Sequence, residues 1–182
     1  DDDNDGNPYN DPNDLTNAGS NDGFMPIGEF DPETENDVPF AGTFDGAGHT
    51  IAGLVINRPE TPVVGLFALT EGATIRNLTL ESGEVSGYQY VGGIVGANMD
   101  GAVVENCTSS TTVNSAGTAG GIVGYNVGSS SIVTCSSSAS VSGVLGIGGL
   151  VGENGESAIV KNCYSTGTVT GEGDYVGGLV AI

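Results

Sequence analysis

Residues 91–96 read VGGIVG, and close relatives of this hexamer recur as AGGIVG at 119–124, IGGLVG at 147–152 and VGGLVA at 176–181. The first glycines of these copies are Gly92, Gly120, Gly148 and Gly177, so the steps are 28, 28 and 29 residues. A fixed period of this length is typical of proteins in which each repeat stacks on its neighbours. The hexamer therefore indicates a repetitive fold.

Three further columns of residues keep a period of 28. The apolar column is Val85, Val113, Val141 and Val169, the thiol column is Cys107, Cys135 and Cys163, and the amide column is Asn98, Asn126 and Asn154. Because apolar, thiol and amide positions share one period, the repeat is a structural unit and not a compositional bias.

Each unit contains three short runs of strand-forming residues separated by Gly, Asn and Ser, without a sustained helical period. We predict an all-β, parallel β-solenoid, a right-handed β-helix, with about five coils of about 28 residues and three short strands per coil. We expect the hexamer glycines to adopt left-handed corners and to let coils approach closely. We expect the amide column to occupy left-handed corners and to form hydrogen bonds between coils.

Composition divides the chain into an acidic, loop-rich segment with a lead-in or cap at 1–38 and a repeat array at 39–182. The formal net charge of −20, from 23 acids and three bases, argues against binding to nucleic acid or to an anionic membrane surface. No apolar run approaches the ~18 residues that a membrane-spanning helix needs. The chain stops at LVAI within a repeat, so we expect a monomeric fragment of a longer protein.

The N-terminal segment carries a candidate calcium loop. Its ligands would be the carboxylates of Asp1, Asp3, Asp5, Asp11 and Asp14. Calcium prefers six to eight oxygen ligands from a loop that folds around it, and alternate acids before a glycine supply them. The segment resembles the aspartate-rich loops of thrombospondin type 3 repeats, and this resemblance implies calcium as a cofactor. A disordered acidic linker is the alternative.

The thiol column admits three interpretations. An odd number of cysteines leaves at least one thiol unpaired within the chain, and stacked side chains point in parallel and not toward each other. A zinc site lacks a fourth ligand, since no further cysteine or nearby histidine completes it. We therefore favour an inward column in which each cysteine acts as a small apolar residue.

The third strand of each unit carries a face rich in hydroxyl groups. Its members are Thr112, Asn114, Ser140, Ser142, Thr166, Thr168 and Thr170. These side chains point away from the valine column because the faces of a strand alternate. The face is a candidate for ligand contact or for ordering water at ice or mineral, although a solvated face is the simpler interpretation.

The array resembles the GLUG-motif repeats of large bacterial surface proteins. The residues that carry the resemblance are GTFDGAGHTIAGLVI at 42–56, VVGLFALTEGATIRNLTL at 63–80, the glycine hexamers with Asn106–Cys107 and Asn162–Cys163, and the lead-in GFMPIG at 23–28. The resemblance implies an extracellular location at the bacterial cell surface, in an adhesin or in the non-catalytic part of a secreted immunoglobulin-cleaving protease. It brings no catalytic residues.

The residues themselves also favour a scaffold over an enzyme. A sugar lyase needs a positioned base and cations, yet the three basic residues Arg58, Arg76 and Lys161 are scattered, and the single histidine, His49, is expected to pack at the first corner. We predict a non-catalytic adhesion or spacer module that contacts a glycan or a host protein. Tyrosines that could stack on sugar rings are Tyr88, Tyr90, Tyr125, Tyr164 and Tyr175. An ice-binding protein and, less favoured, a carbohydrate-active β-helix enzyme are the alternatives.

Overall fold

The computed structural model describes residues 22–31 and 36–181, and the strands in this part of the chain number 22. In the first two coils they are β1 (Thr43–Asp45), β2 (Thr50–Asn57), β3 (Val63–Val64), β4 (Phe67–Glu71), β5 (Thr74–Arg76), β6 (Thr79–Gly87), β7 (Tyr90–Gly92) and β8 (Val95–Met99). They continue with β9 (Val103–Glu105), β10 (Thr108–Ser109), β11 (Thr112–Ser115), β12 (Thr118–Gly120), β13 (Val123–Asn126), β14 (Ser131–Val133) and β15 (Ser136–Ser137). The last are β16 (Val141–Gly143), β17 (Gly146–Gly148), β18 (Val151–Asn154), β19 (Ile159–Lys161), β20 (Tyr164–Ser165), β21 (Val169–Gly171) and β22 (Tyr175–Gly177).

These strands form four sheets that run along the axis of a solenoid. The first sheet has the order β1-β5-β9-β14-β19, and the second is β20-β15-β10-β6-β11-β16-β21 with β2 on β6. The third is β22-β17-β12-β7-β3, and the fourth is β18-β13-β8-β4. Neighbouring strands pair in parallel, mostly with partners 28 residues apart. The predicted all-β parallel solenoid of about five coils is therefore confirmed, and no helix in the described residues is long and apolar enough to cross a membrane.

The coil is divided more finely than the predicted three strands. A full unit contains five short strands, as in β7 to β11, distributed over four sheets. The hexamer at 91–96 is not one strand but a corner, because β7 ends at Gly92 and β8 begins at Val95. The sequence could not reveal this division, since valine and isoleucine favour strands on both sides of the corner.

The hexamer glycines serve close packing and not left-handed turns. None of Gly92, Gly120 and Gly148 has a positive φ, so the expected left-handed corner is wrong for these residues. A Cβ atom on Gly92 would overlap the carbonyl oxygen of Val95 and lie 2.8 Å from the carbonyl oxygen of Ile122 in the next coil. The expected close approach of coils is therefore present, and it explains why glycine recurs there.

The left-handed residues of the repeat lie elsewhere, in the turn between the first and second sheets. Asn77, Asn106, Thr134 and Asn162 have φ values of 55°, 51°, 55° and 55°. Asparagine favours this conformation because its short polar side chain can bond locally. The expectation of left-handed backbone at the amide column is wrong, because Asn98 lies within β8 and Asn126 and Asn154 are the last residues of β13 and β18.

The core consists of inward columns that continue through successive coils. Val85, Val113, Val141 and Val169 pair in register, and Ile56 extends the column by one coil. The first four of these five positions along the chain are buried, and Val169 in the last coil is partly exposed. Each inward residue is covered by the equivalent residues of the coils above and below it. The stability of a coil therefore depends on its stacked neighbours.

The lead-in packs against the start of the solenoid. Ile27 forms a parallel bridge with Phe67, and Phe40 forms one with Thr70. The ring of Phe67 lies 5.0 Å from that of Phe40 and 5.3 Å from that of Phe44, measured between centroids. These contacts cover the apolar side of the first coil. His49 is exposed, so the expectation that it packs at this corner is wrong.

Candidate functional site

A groove runs along the outside of the solenoid where the third and fourth sheets meet. A Cβ atom on Gly124 would lie 2.6 Å from the backbone nitrogen of Val91, and one on Gly152 would lie 2.6 Å from Cγ2 of Thr118. The last glycine of each hexamer therefore lets a strand of the fourth sheet press against the third. The strand pairing of the fourth sheet skips these glycines, and Tyr125 and Glu153, which follow Gly124 and Gly152, pair with each other beside the groove.

One wall of the groove is an outward column of the third sheet. Thr118 pairs with Tyr90, Gly146 pairs with Tyr175, and the same register sets Thr118 beside Gly146. Three steps of ~4.8 Å separate the two tyrosines, or about 14 Å along the axis. Because the two intervening side chains are small, a gap opens between the aromatic rings.

The other wall belongs to the fourth sheet and carries Tyr125 followed by Glu153. The ring of Tyr125 stacks on that of Tyr90 with centroids 4.7 Å apart and planes at 16°. This stacked pair crosses the corner between the two sheets. It holds both rings in fixed positions at one end of the gap.

The gap forms a cavity of about 290 Å³. Its lining residues are Gln89, Tyr90, Thr118, Leu145, Gly146, Gly152, Glu153 and Tyr175. They combine aromatic and apolar surface with the amide of Gln89, the hydroxyl of Thr118, the carboxylate of Glu153 and the phenol groups of the two tyrosines. Ligand pockets span roughly 300–1,000 Å³, so this cavity is sized for a small group or for a short part of a polymer.

Toward the N-terminus the groove is closed by a small apolar cluster. Val63, Leu69 and Ala97 are buried there, and Phe30 from the lead-in, Tyr90 and Tyr125 pack against them. The groove is consequently open only beyond the stacked tyrosines. Leu145 and Tyr175 are exposed at that open end, with 57% and 56% of their surface accessible.

The electrostatics of the groove favour neutral or positively charged ligands. Burial raises the pKa of the Tyr125 phenol, and the nearby carboxylate of Glu153 raises it further. The phenol therefore stays protonated at neutral pH and can donate a hydrogen bond. None of the described residues that line the cavity is basic, and the chain as a whole carries a formal charge of −20.

The structure brings together three of the five tyrosines that the sequence singled out. Tyr90, Tyr125 and Tyr175 meet at the groove, whereas Tyr164 lies on the second sheet in β20. Tyr88 is exposed and does not line the cavity. Sequence analysis missed the small residues and Glu153, although the position two before each glycine pair reads Tyr, Thr, Gly and Tyr and could have indicated the gap.

The amide column forms a continuous ladder inside the solenoid. Nδ2 of Asn98 donates to Oδ1 of Asn126 at 2.8 Å, and Nδ2 of Asn126 donates to Oδ1 of Asn154 at 2.7 Å. Oγ1 of Thr70 donates to Oδ1 of Asn98 at 2.9 Å and so begins the ladder one coil earlier. Buried amides satisfied in this way fix the register of four coils.

The thiol column is buried and unbridged. Cys107, Cys135 and Cys163 are free, the first two are buried and the third is partly exposed. Their sulfur atoms face backbone carbonyl oxygens, at 3.2 Å for Cys107 to Glu105 and 3.4 Å for Cys135 to Val133. The side chains therefore serve as small core residues that also reach polar backbone.

We expect Cys163 to react with a maleimide in the folded protein while Cys107 and Cys135 react only after unfolding. Hydrogen bonding from the side chain of Cys135, together with its backbone N–H at 3.3 Å, lowers the pKa of the Cys163 thiol below its ordinary value. Peptide mapping after a short exposure to the maleimide measures the labelling rate of each of the three cysteines. Comparable labelling of all three cysteines in the native state would contradict the burial of this column.

The hydroxyl-rich face forms bonds within itself. Oγ of Ser142 donates to Oδ1 of Asn114 at 2.6 Å, and Nδ2 of Asn114 donates to Glu84 at 2.9 Å. Thr112 pairs with Glu84, so a carboxylate interrupts the array. Ser140, Thr166, Thr168 and Thr170 are exposed on the same side. A regular array of free hydroxyl groups, which ice binding would require, is not present over these described rungs.

The candidate calcium ligands Asp1, Asp3, Asp5, Asp11 and Asp14 lie outside the described residues. Within residues 22–31 and 36–181, no group of three or more His, Cys, Asp or Glu side chains is arranged to hold a metal ion. Calcium binding by the N-terminal segment stays a prediction from the sequence.

The fold defines a repeat module, a parallel β-solenoid whose repeated corner forms a groove. Residues 87–114 and 143–170 match the family model described as the GLUG motif. Two segments of the solenoid match this motif, and one unmatched repeat, residues 115–142, separates them.

Two known proteins resemble the chain. Halomucin from Haloquadratum walsbyi is 37% identical over 92 residues, which is 50% of this chain and 1% of halomucin. A crystal structure from Bacteroides ovatus, of a protein provisionally named an immunoglobulin A1 protease, aligns with a TM-score of 0.59 and 25% identity. That alignment covers 76% of this chain and 45% of the solved chain. The chain thus corresponds to less than half the length of either relative.

Proposed function

We propose that the chain is a non-catalytic, extracellular module of a surface protein that binds a neutral or amine-bearing glycan in its groove. The observation that carries the proposal is the stacked pair of Tyr90 and Tyr125, facing Tyr175 across a gap lined by small residues. The GLUG matches and the names of the two relatives support a repeat module of a surface or secreted protein.

The chemistry of the gap suits a sugar. The apolar C–H faces of sugar rings pack on aromatic side chains, and amide, hydroxyl and carboxylate groups bind sugar hydroxyls. Gln89, Thr118 and Glu153 supply these three polar groups beside the rings. The open end of the groove permits a longer chain to continue past Tyr175.

Charge restricts the glycan class. Glu153 and the surrounding acidic surface repel sialic acids, uronic acids and sulfated sugars, since no basic residue lines the cavity to compensate. The single carboxylate of the lining also argues for binding without hydrolysis, because a glycosidase needs a pair of carboxyl groups across the scissile bond.

A glycan array, followed by calorimetric titration with any glycan that binds, tests this proposal. We expect Tyr90→Ala and Tyr175→Ala each to weaken binding by about tenfold or more, equivalent to ~1.4 kcal/mol, because each removes a stacking surface. Tyr164→Ala is the control, since Tyr164 is exposed to a similar extent as Tyr175 but lies on the second sheet.

Two results would contradict the proposal. An array without neutral or amine-bearing hits would leave the module as a spacer. Equal losses for Tyr164→Ala and Tyr90→Ala would place the binding surface outside the groove. Retained melting temperatures in all three variants ensure that altered binding is not caused by unfolding.

A further inference from the structure

Two consecutive coils present the same modification sequence at the same corner. Asn77–Leu78–Thr79 and Asn106–Cys107–Thr108 both have the form Asn-x-Thr, the acceptor sequence for N-linked glycans. We propose that Asn106 is an N-glycosylation site of this protein, with Asn77 directly below it as a poorer acceptor. This inference is independent of glycan binding in the groove.

The geometry of the corner distinguishes the two asparagines. Asn106 is exposed and Asn77 is half-buried. Nδ2 of Asn77 donates to Oδ1 of Asp45 at 2.9 Å, and its Oδ1 accepts from Nδ2 of Asn106 at 2.6 Å. The amide of Asn77 is thus held on both sides, whereas the side-chain amide of Asn106 has one described hydrogen bond, to Asn77 in the coil below.

The hydroxyl residue of each acceptor sequence faces outward as well. Thr79 and Thr108 pair with each other on the second sheet, and Thr108 is exposed. The left-handed φ of 51° at Asn106 turns the chain sharply between the first and second sheets. An exposed turn with an exposed hydroxyl two residues later is the setting in which a glycosyltransferase reaches its acceptor.

The transfer joins Nδ2 of Asn106 to the anomeric carbon of an oligosaccharide carried on a lipid diphosphate. The N–C bond forms as the bond from the anomeric carbon to the diphosphate oxygen breaks, and the amide nitrogen gives up one proton. A separate oligosaccharyltransferase catalyses the step, so this chain supplies only the acceptor. Because adjacent coils are ~4.8 Å apart, a glycan on Asn106 crowds Asn77, and we expect one glycan per pair.

The site leaves the groove accessible. Along the coil, β10 and β11 of the second sheet separate Asn106 from the third-sheet strand that carries Thr118. A glycan would therefore project from a different corner of the solenoid from the one that carries Tyr90 and Tyr125.

The chain contains a matched internal control. Asn162–Cys163–Tyr164 repeats the corner with an exposed, left-handed asparagine but has Tyr, and not Ser or Thr, at the third position. We expect Asn162 to be unmodified in the natural protein. Tyr164→Thr completes the acceptor sequence at this corner and should bring about modification of Asn162.

Mass spectrometry of peptides from the protein recovered from its own cells tests the proposal. We expect a glycan on the peptide that contains Asn106, its loss in Asn106→Gln and Thr108→Val, and its retention in Thr108→Ser. The readout uses denatured peptides, and Thr108→Ser controls for effects of substitution on folding. Full recovery of the unmodified Asn106 peptide, modification of Asn77 alone, or modification of Asn162 without Tyr164→Thr would overturn the proposal.

Discussion

Gly120→Ala is expected to lower the free energy of unfolding by more than about 4 kcal/mol or to prevent folding. A Cβ atom at Gly120 would overlap the carbonyl oxygen of Val123 and lie 2.7 Å from the backbone nitrogen of Gly152 and 2.8 Å from the carbonyl oxygen of Leu150. All three are backbone atoms of the same corner or of the next coil. No flexible side chain can move aside, so the corner itself must distort.

Gly178→Ala is the control. Gly178 is the second glycine of the last copy of the hexamer, whereas Gly120 is the first glycine of its copy. A Cβ atom on Gly178 meets nothing within 4 Å, and its backbone is not left-handed. We expect a change within ~0.5 kcal/mol, as for ordinary surface substitutions. Urea denaturation followed by circular dichroism measures both variants. A stable Gly120→Ala protein would mean that the corner accommodates a Cβ atom without cost. Equal losses in both variants would mean that the loss does not arise from the backbone contacts of Gly120.

The repeat period predicted the fold because a column of equivalent residues in sequence is a ladder in space. The 28-residue step of the valine column appears directly as the pairing of Val85, Val113 and Val141. A parallel solenoid is the architecture in which one period serves apolar, thiol and amide columns together. The fold could therefore be predicted from the period without knowing where any single strand begins or ends.

The roles of glycine and asparagine could not be assigned in the same way. Both residues permit left-handed backbone, and glycine also permits close packing, so the type alone does not decide. In the structure Gly92 provides space, Asn106 provides the left-handed corner, and Asn126 provides a buried hydrogen bond. Only the three-dimensional neighbours of each residue distinguish these functions.

The groove was only partly predictable for a different reason. Its third-sheet wall is a column of four positions that share a place in the repeat but no chemical character, since Tyr90 and Tyr175 enclose Thr118 and Gly146. A search for residue types that recur at the repeat period does not detect such a position. The gap exists because two adjacent coils have small residues where the coils on either side have tyrosine.

Asn126→Leu is expected to lower the free energy of unfolding by about 3 kcal/mol. Asn126 is completely buried, its Nδ2 donates to Asn154, and its Oδ1 accepts from Nδ2 of Asn98 and from Oγ of Ser130, both at 2.8 Å. Leucine has a similar volume but leaves neighbouring amide groups without partners, and each unsatisfied buried group costs roughly 1–3 kcal/mol. Asn154→Leu, at the partly exposed end of the ladder, should cost less because water can replace its lost bonds.

Asn126→Asp separates hydrogen bonding from side-chain shape. A carboxylate still accepts from Asn98 and Ser130, but it cannot donate to Oδ1 of Asn154 unless it is protonated. Burial raises the pKa of the new carboxyl above the value of about 3.9 that it has in the unfolded chain. The variant is therefore closest to the natural protein in stability below that value, and it loses stability as the pH rises through the folded-state pKa.

The measurement is the difference in unfolding free energy between Asn126→Asp and the natural protein, taken at a series of pH values so that the many other carboxylates cancel. A difference that grows with pH shows that the buried ladder does not tolerate an ionised carboxylate at this rung, which carries a charge and cannot donate to Asn154. A difference that is large but constant with pH would instead assign the cost to altered packing, because the ladder would then tolerate a carboxylate in either protonation state. Absence of any loss would remove the amide ladder from the forces that hold the coils in register.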